Sequence, residues 1–406
     1  MGADFLKRMD WLGAARVTGY LRLFAVLAAV MLAWLVGTSH GGVDANGYLL
    51  GSDFISFWTT GHMLFAHGDP YDGAAHIAAQ RTYFSAEGAY TAFYYPPSFL
   101  PFCWPLGGLP YFPALGAWLL MTGALYLGAV RCWWERAATG VPLWLLFAAF
   151  PAVPIVVTHG QTAFLVCGLL GLGAWLVPTR PWIAGALFGL ATIKPQFGLL
   201  LPLVLVATGQ WRVIASACIT AAALALLSAW AFGAQAWIGW LGASERAQAA
   251  MAHGQIGYGK MMSPFAGMRL IGASMGLSYA VQGLVTLAVA GLVLWACLRK
   301  GRAGAWTPGL AALMLAGAPL ATPYVLDYDM VLLAFPMLWL VGEGLRSGFA
   351  PYEKLALVLA FAAPALARPL ALGFDIPVMP LVLVLFFGVV WRRATSEASG
   401  HSRAIP

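Results

Sequence analysis

Apolar residues along this chain come in long unbroken runs, and the polar residues are confined to the gaps between them. Neither the 3.6-residue stripe of a soluble helix nor strict alternation is visible over most of the length. The first run extends from Leu23 to Gly37, and the last, "VMPLVLVLFFGVVW", covers 378–391. A run of about 20 apolar residues crosses a hydrocarbon core of roughly 30 Å, so the pattern predicts an all-α, polytopic integral membrane protein with about 11–12 membrane helices. Composition agrees: 61% of the 406 residues are hydrophobic and 9% charged.

Charge placement gives the expected orientation. The basic segments "GQWR" (209–212), "RKGRAG" (299–304), "RSGFAPYEK" (346–354) and "WRRA" (391–394) flank apolar runs, as cytoplasmic loops do under the positive-inside rule. Both termini are then expected on the cytoplasmic side of the membrane. The predicted organisation is a cytoplasmic N-terminus (1–22), one transmembrane domain (23–395) and a cytoplasmic tail without fixed structure (396–406). A first outer loop (40–97) carries interfacial helices, and a second long outer loop covers 233–276. The net charge of +7 is scattered in ones and twos, which argues against nucleic acid as a partner and for membrane lipid. The cysteines, Cys103, Cys132, Cys167, Cys218 and Cys297, have no metal-ligand spacing and read as small core residues.

Two apolar stretches do not fit a simple crossing. Pro101, Pro105 and Pro110 interrupt the stretch from Ser98 to Leu109, which is expected to dip into the membrane without spanning it. The run from Trp182 to Thr208 is flanked by Arg180 and Arg212 and broken by Lys194-Pro195. The dozen residues before Lys194 rise only about 18 Å, the length of a half-helix. A helical hairpin with Lys194 at its turn is predicted.

With this topology, four polar segments face one side: "GSDF" around Asp53, "YYPPS" (94–98), "THGQT" (158–162) and "PYVLDYD" (323–329), with Lys194 pointing at them. A lysine inside an apolar run costs about 2.5 to 3.5 kcal/mol, so it snorkels, pairs with a carbonyl, or neutralises an anion at membrane depth. Asp53 either caps the helix that follows or serves as a general base beside aromatic rings that raise its pKa. Asp69 and Asp72 in "GDPYD" read as turn chemistry. Tyr94, Tyr95, His159, Gln161, Tyr324, Asp327 and Asp329 are candidates for sugar or acceptor contacts. His159 and Gln161 equally fit the closing of a helix end, and the tyrosines fit interfacial anchoring. Lys260 and Arg269 belong to the six outward basic residues, with Arg81, Lys194, Arg246 and Arg368, and fit a phosphate or a lipid headgroup. No metal site is expected, and no nucleotide-binding loop, nucleophile elbow or zinc-protease motif occurs.

The order of "SDFISFWTTGHMLFAHGDPYD", "YYPPSFLPFCWPLGGLPY", "HGQTAFLVCGLLGLGAWL", "RPWIAGALFGLATIKPQFGLLLPLVLVATGQWR" and "PYVLDYDMVLL" resembles glycosyltransferase family 87, within the GT-C superfamily, over roughly residues 45 to 340. The resemblance implies a GT-C-like bundle and inverting transfer of a sugar, a mannose-like hexose, from a polyprenyl-phosphate donor to a glycan or glycolipid acceptor on the outer face. It implies Asp53 as general base and Lys194 on the donor phosphate, with no cofactor required and divalent metal dependence left open. Many relatives carry histidines in the late motif, where this chain has Tyr324, Asp327, Tyr328 and Asp329, so acceptor and sugar stay open. A transporter or flippase would need a matching broken helix in its second half, and none is visible.

Overall fold

The computed structural model describes residues 2–84, 91–253, 255, 257–299 and 305–400. In chain order its helices are α1 (Gly2–Arg8), α2 (Ala14–Gly37), α3 (Phe54–Phe65), α4 (Gly73–Tyr83), α5 (Leu100–Gly107), α6 (Tyr111–Ala137), α7 (Leu143–Ala149), α8 (Ala152–His159), α9 (Ala163–Leu176) and α10 (Pro181–Leu190). They continue as α11 (Leu201–Ala207), α12 (Trp211–Phe232), α13 (Gln235–Ala252), α14 (Pro264–Leu270), α15 (Met275–Leu298), α16 (Pro308–Gly317), α17 (Ala334–Ser347), α18 (Glu353–Phe374) and α19 (Val378–Gly400). Among the described residues extended pairing is limited to isolated bridges, such as Met261 with Leu326.

Among the described residues seven helices are long and apolar enough to cross a membrane: α2, α6, α12, α15, α17 with its lead-in from Asp327, α18 and α19. Shorter apolar helices cover Ala163–Leu176, Pro181–Ile193, Pro195–Ala207 and Pro308–Leu320. Large apolar side chains point outward, Trp230 being 84% and Leu120 75% exposed, as a lipid-facing surface requires. The protein is therefore an all-helical polytopic membrane protein. Helix α2 starts at Ala14, so Arg16 and Arg22 lie within it. Helix α19 continues to Gly400, into the expected tail, and 401–406 lie outside the described residues.

Residues 97–107 form a 3-10 turn and the eight-residue α5 with Pro105 inside it, while α6 makes a full-length crossing by itself. At about 1.5 Å per residue α5 is far too short to span. It is clamped onto α3 instead. A Cβ on Gly107 would lie 2.1 Å from the Gly61 carbonyl carbon, and one on Gly61 would lie 2.3 Å from the Cys103 oxygen. Only glycine permits this approach.

The contacts of α10 with α12 reveal the path around Lys194. Gly185 abuts Val213 and Ser216, and Gly189 abuts Ala217 and Thr220, so the contacts advance in the same sense along both helices. The two helices are parallel, and the chain between them must double back. It does so at Lys194, between the 3-10 turns Ala191–Ile193 and Pro195–Gly198, and returns through α11. The half-helix hairpin expected from the charge pattern is present.

At the centre lies a 3-10 segment, Asp327–Leu333, all seven residues of which are buried. Helices α8, α9 and α18 pack against it. The Tyr126 hydroxyl donates to the Val331 carbonyl at 2.7 Å. At the far end of α17 and α18, Arg393 of α19 lies 3.3 Å from the buried Glu353 carboxylate and donates to the Glu343 carbonyl at 2.7 Å.

Candidate functional site

The segment between α2 and α5 is held by its own polar side chains. Asp72 caps α4, accepting from the Ala74 and Ala75 amides, and Asp69 accepts from the Tyr71 amide, the turn chemistry expected of both. Behind them a buried chain runs from Thr60 to His76 Nε2 at 3.2 Å, from His76 Nδ1 to Gln80 at 3.0 Å, and from Gln80 to the Thr91 backbone. The Thr91 hydroxyl then donates to the Ser52 carbonyl at 2.7 Å, next to Asp53.

Asp53 occupies the N-cap position of α3, but its side chain makes no cap hydrogen bond. Its amide donates to the His159 carbonyl at 3.0 Å and that of Gly51 to Thr158 at 2.9 Å, stitching the loop to the end of α8. Gly160 follows with φ of 64°, and a Cβ there would lie 2.6 Å from Phe54 Cβ, so this close approach needs glycine. The carboxylate Oδ2 accepts from Gln161 Nε2 at 2.8 Å. Gln161 is in turn oriented through Oε1, which accepts from the Tyr95 hydroxyl at 2.9 Å and the Thr162 amide at 2.8 Å. Burial pushes the Tyr95 phenol up, which keeps it a donor. Gln161 therefore aims the carboxylate.

Asp53 lines a cavity of about 550 Å³, together with His159, Lys260, Asp327 and Arg368. Arg368 Nη1 lies 3.4 Å from Asp327 Oδ2 and 3.3 Å from His159 Nε2. His159 Nδ1 faces the Ile155 carbonyl at 2.8 Å. Assigned from these partners, Nδ1 carries the proton and Nε2 accepts from the guanidinium. Away from this charged end the cavity walls are apolar, formed by one face each of α2, α8 and α18.

Lys194 lies outside this cavity. It is 3% exposed, its Nζ is 2.5 Å from Asp329 Oδ1, and the rings of Tyr328 and Phe197 are centred 5.0 and 5.2 Å away. Asp329 Oδ2 accepts from the Leu326 amide at 3.1 Å. The charge is met inside the protein by a carboxylate from the 3-10 segment. Arg269 is also engaged elsewhere, with the Tyr258 hydroxyl at 3.3 Å and the Ala273 carbonyl. Tyr258 begins the turn that carries Lys260 into the cavity. Tyr94 lines a separate hollow of about 210 Å³ with Arg246, Tyr71 and His76. Burial raises the Tyr324 phenol, and the Asp53 and Asp329 carboxylates nearby add to it.

Of the site residues expected from the sequence, Asp53, His159, Lys260 and Asp327 line this cavity, and Arg368, which also lines it, was not among them. The available signal was a cation on the outward side, flanked by Pro369 inside an apolar helix. Among the described residues, no three His, Cys, Asp or Glu side chains converge in a way that could hold a metal ion.

No curated protein and no solved structure matches the chain. A family model described as glycosyltransferase family 87 matches residues 93–323, a narrower stretch than the resemblance first covered. It includes Tyr94, Tyr95, His159, Gln161, Lys194, Lys260 and Arg269, and leaves Asp53, Tyr324, Asp327, Asp329 and Arg368 outside. With more than half of its length matched, and in an all-helical membrane fold, the chain belongs to glycosyltransferase family 87.

Proposed function

We propose that this protein transfers a sugar, a mannose-like hexose, from a polyprenyl-phosphate donor to a hydroxyl of a glycan or glycolipid acceptor at the outer face of a bacterial cytoplasmic membrane, with both termini inside. The observation that supports this most is the division of the 550 Å³ cavity into an apolar length and a charged end holding Asp53, Lys260, Asp327 and Arg368. A lipid phosphate needs such a site: hydrocarbon walls for the tail, cations for the headgroup, and a carboxylate where the acceptor meets the anomeric carbon.

In this mechanism the acceptor oxygen attacks the anomeric carbon and its proton passes to Asp53. The bond from that carbon to the phosphate oxygen breaks, configuration inverts, and polyprenyl phosphate leaves. Gln161, held by Tyr95, presents the Asp53 carboxylate. Lys260 and Arg368 meet the charge that grows on the departing phosphate, the kind of electrostatic stabilisation that usually dominates such catalysis. Arg269 supports the Lys260 turn through Tyr258. Lys194 acts through Asp329 as a positioning residue, bracing the segment that carries Asp327 and Tyr328. Tyr94, His159, Tyr324 and Asp327 are the side chains available to sugar and acceptor.

The test is sugar transfer by the purified protein from a mannosyl polyprenyl phosphate. Asp53→Asn is expected to lower kcat by about 10²- to 10⁴-fold, the usual worth of a general base, with unchanged melting temperature. Turnover near the wild-type rate would remove Asp53 as the base.

A further inference from the structure

At one end of the cavity the lining residue Phe24 is backed by an aromatic cluster, and along one side the lining is exposed. Phe24 of α2 meets Phe361 of α18 edge to face, with centroids 5.4 Å apart and planes at 88°, and Phe150 packs against Phe361 at 5.5 Å. Helices α2, α8 and α18 run from this aromatic cluster toward the charged end. Beyond Leu35 the chain leads to the Asp53 loop, beyond Pro154 to His159, and beyond Phe361 to Arg368. From Phe24 to Leu35 the apolar wall of α2 is about 16 Å long at 1.5 Å per residue.

The floor is tightly made. Leu21, Leu145 and Ala149 are buried beneath and beside it, with Phe24 and Phe361 packed on them. A chain continuing straight past Phe24 would have to separate rings that pack at van der Waals contact. The side is different. Leu27 and Met31 line the cavity and are nevertheless 55% and 39% exposed, and Ala365 and Pro369 opposite them on α18 are also exposed. Helix α2 packs chiefly on α7, which leaves the gap between α2 and α18 open along the cavity.

We infer that Phe24, backed by Phe361 and through it by Phe150, forms a stop that makes the protein read only the phosphate-proximal part of its donor's hydrocarbon chain, the remainder leaving sideways between α2 and α18 into the bilayer. This rests on the lipid-phosphate reading above and adds to it a specificity determinant. The stop sets a minimum tail length, and beyond that minimum total chain length does not matter.

The experiment uses full-length protein in detergent and one sugar phosphate carried on prenyl tails of increasing length. For the wild type, kcat/KM is expected to rise by about tenfold or more as the tail grows to fill the groove, the worth of burying a few methylenes, and then to level off. Phe24→Ala with Phe361→Ala is expected to move the levelling point to longer tails. Met31→Trp, placed at the open side and independent of the floor's integrity, is expected to slow transfer from long tails while sparing short ones. A wild-type profile that keeps rising through the longest tails, or a levelling point that neither variant alters, would overturn the stop. No transfer from any lipid phosphate in the series would instead bring down the donor reading, and this inference with it.

Discussion

Asp327 and Asp329 stand two residues apart in one 3-10 segment, and each is paired with a cation from another helical region, yet the two pairs live in different surroundings. The Asp329 and Lys194 side chains are 1% and 3% exposed and sit 2.5 Å apart. Asp327 is as buried, but its partner Arg368 is 24% exposed, lies 3.4 Å away, and lines the cavity beside His159. The sealed pair is closed off from the cavity and links the hairpin turn at Lys194 to the 3-10 segment at Asp329. The open pair keeps a guanidinium partly unspent, oriented by two partners and facing space large enough for a ligand. Burial alone does not separate architectural from chemical charges, since the two aspartates are equally buried. What the cation faces does.

The difference is broken most severely at the sealed pair. Lys194→Met strands the Asp329 carboxylate and is expected to cost about 3–5 kcal/mol, read as a large loss of thermal stability in detergent. Lys194→Met combined with Asp329→Leu is expected to recover most of that loss. A single variant that keeps its stability and only loses donor affinity would return Lys194 to the phosphate. The open pair is expected to respond differently. Arg368→Gln is expected to raise the KM for a lipid-phosphate donor by about tenfold, equivalent to about 1.4 kcal/mol, with a smaller loss of melting temperature than Lys194→Met because the half-open cavity lets solvent reach the Asp327 pair.

The smallest effect concerns the strap that holds the Asp53 loop. Burial pushes His76 down to about 4 from its ordinary 6.5. Between these values the unfolded chain binds a proton that the folded loop does not, so stability is present at neutral pH and falls as pH drops through this window. Protease sensitivity of the Asp53 loop, followed from pH 7 to 5, is expected to rise, and His76→Gln is expected to flatten that rise.

Much of the architecture was legible because hydrocarbon imposes one-dimensional constraints. Run length separates spans from dips, prolines stop α5 from crossing, and the spacing from Arg180 through Lys194 to Arg212 requires a hairpin. The Asp-Pro turn at 69–72 needed only local chemistry. The site was less legible because its pairings are remote. Lys194 and Asp329 are 135 residues apart, and nothing in either neighbourhood names the other. Gln161 fitted both a helix end and a sugar contact, and its role as the donor to Asp53 depends on a loop 108 residues away. Tyr328, Asp327 and Asp329 look like an interfacial cluster in sequence, and only the packing of α8, α9 and α18 turns them into core.

The Arg393 to Glu353 pair at the opposite end has a bearing on how the helices come together. Glu353 is fully buried, its carboxylate accepts from the Ala350 amide at 2.7 Å, and the guanidinium beside it comes from the last helix. Until α19 has packed against α17 and α18, that carboxylate lacks the guanidinium, and leaving one partner of a buried pair alone is strongly destabilising. The pair therefore makes the docking of α19 a condition for burying the start of α18, and ties three helices into one cooperative unit.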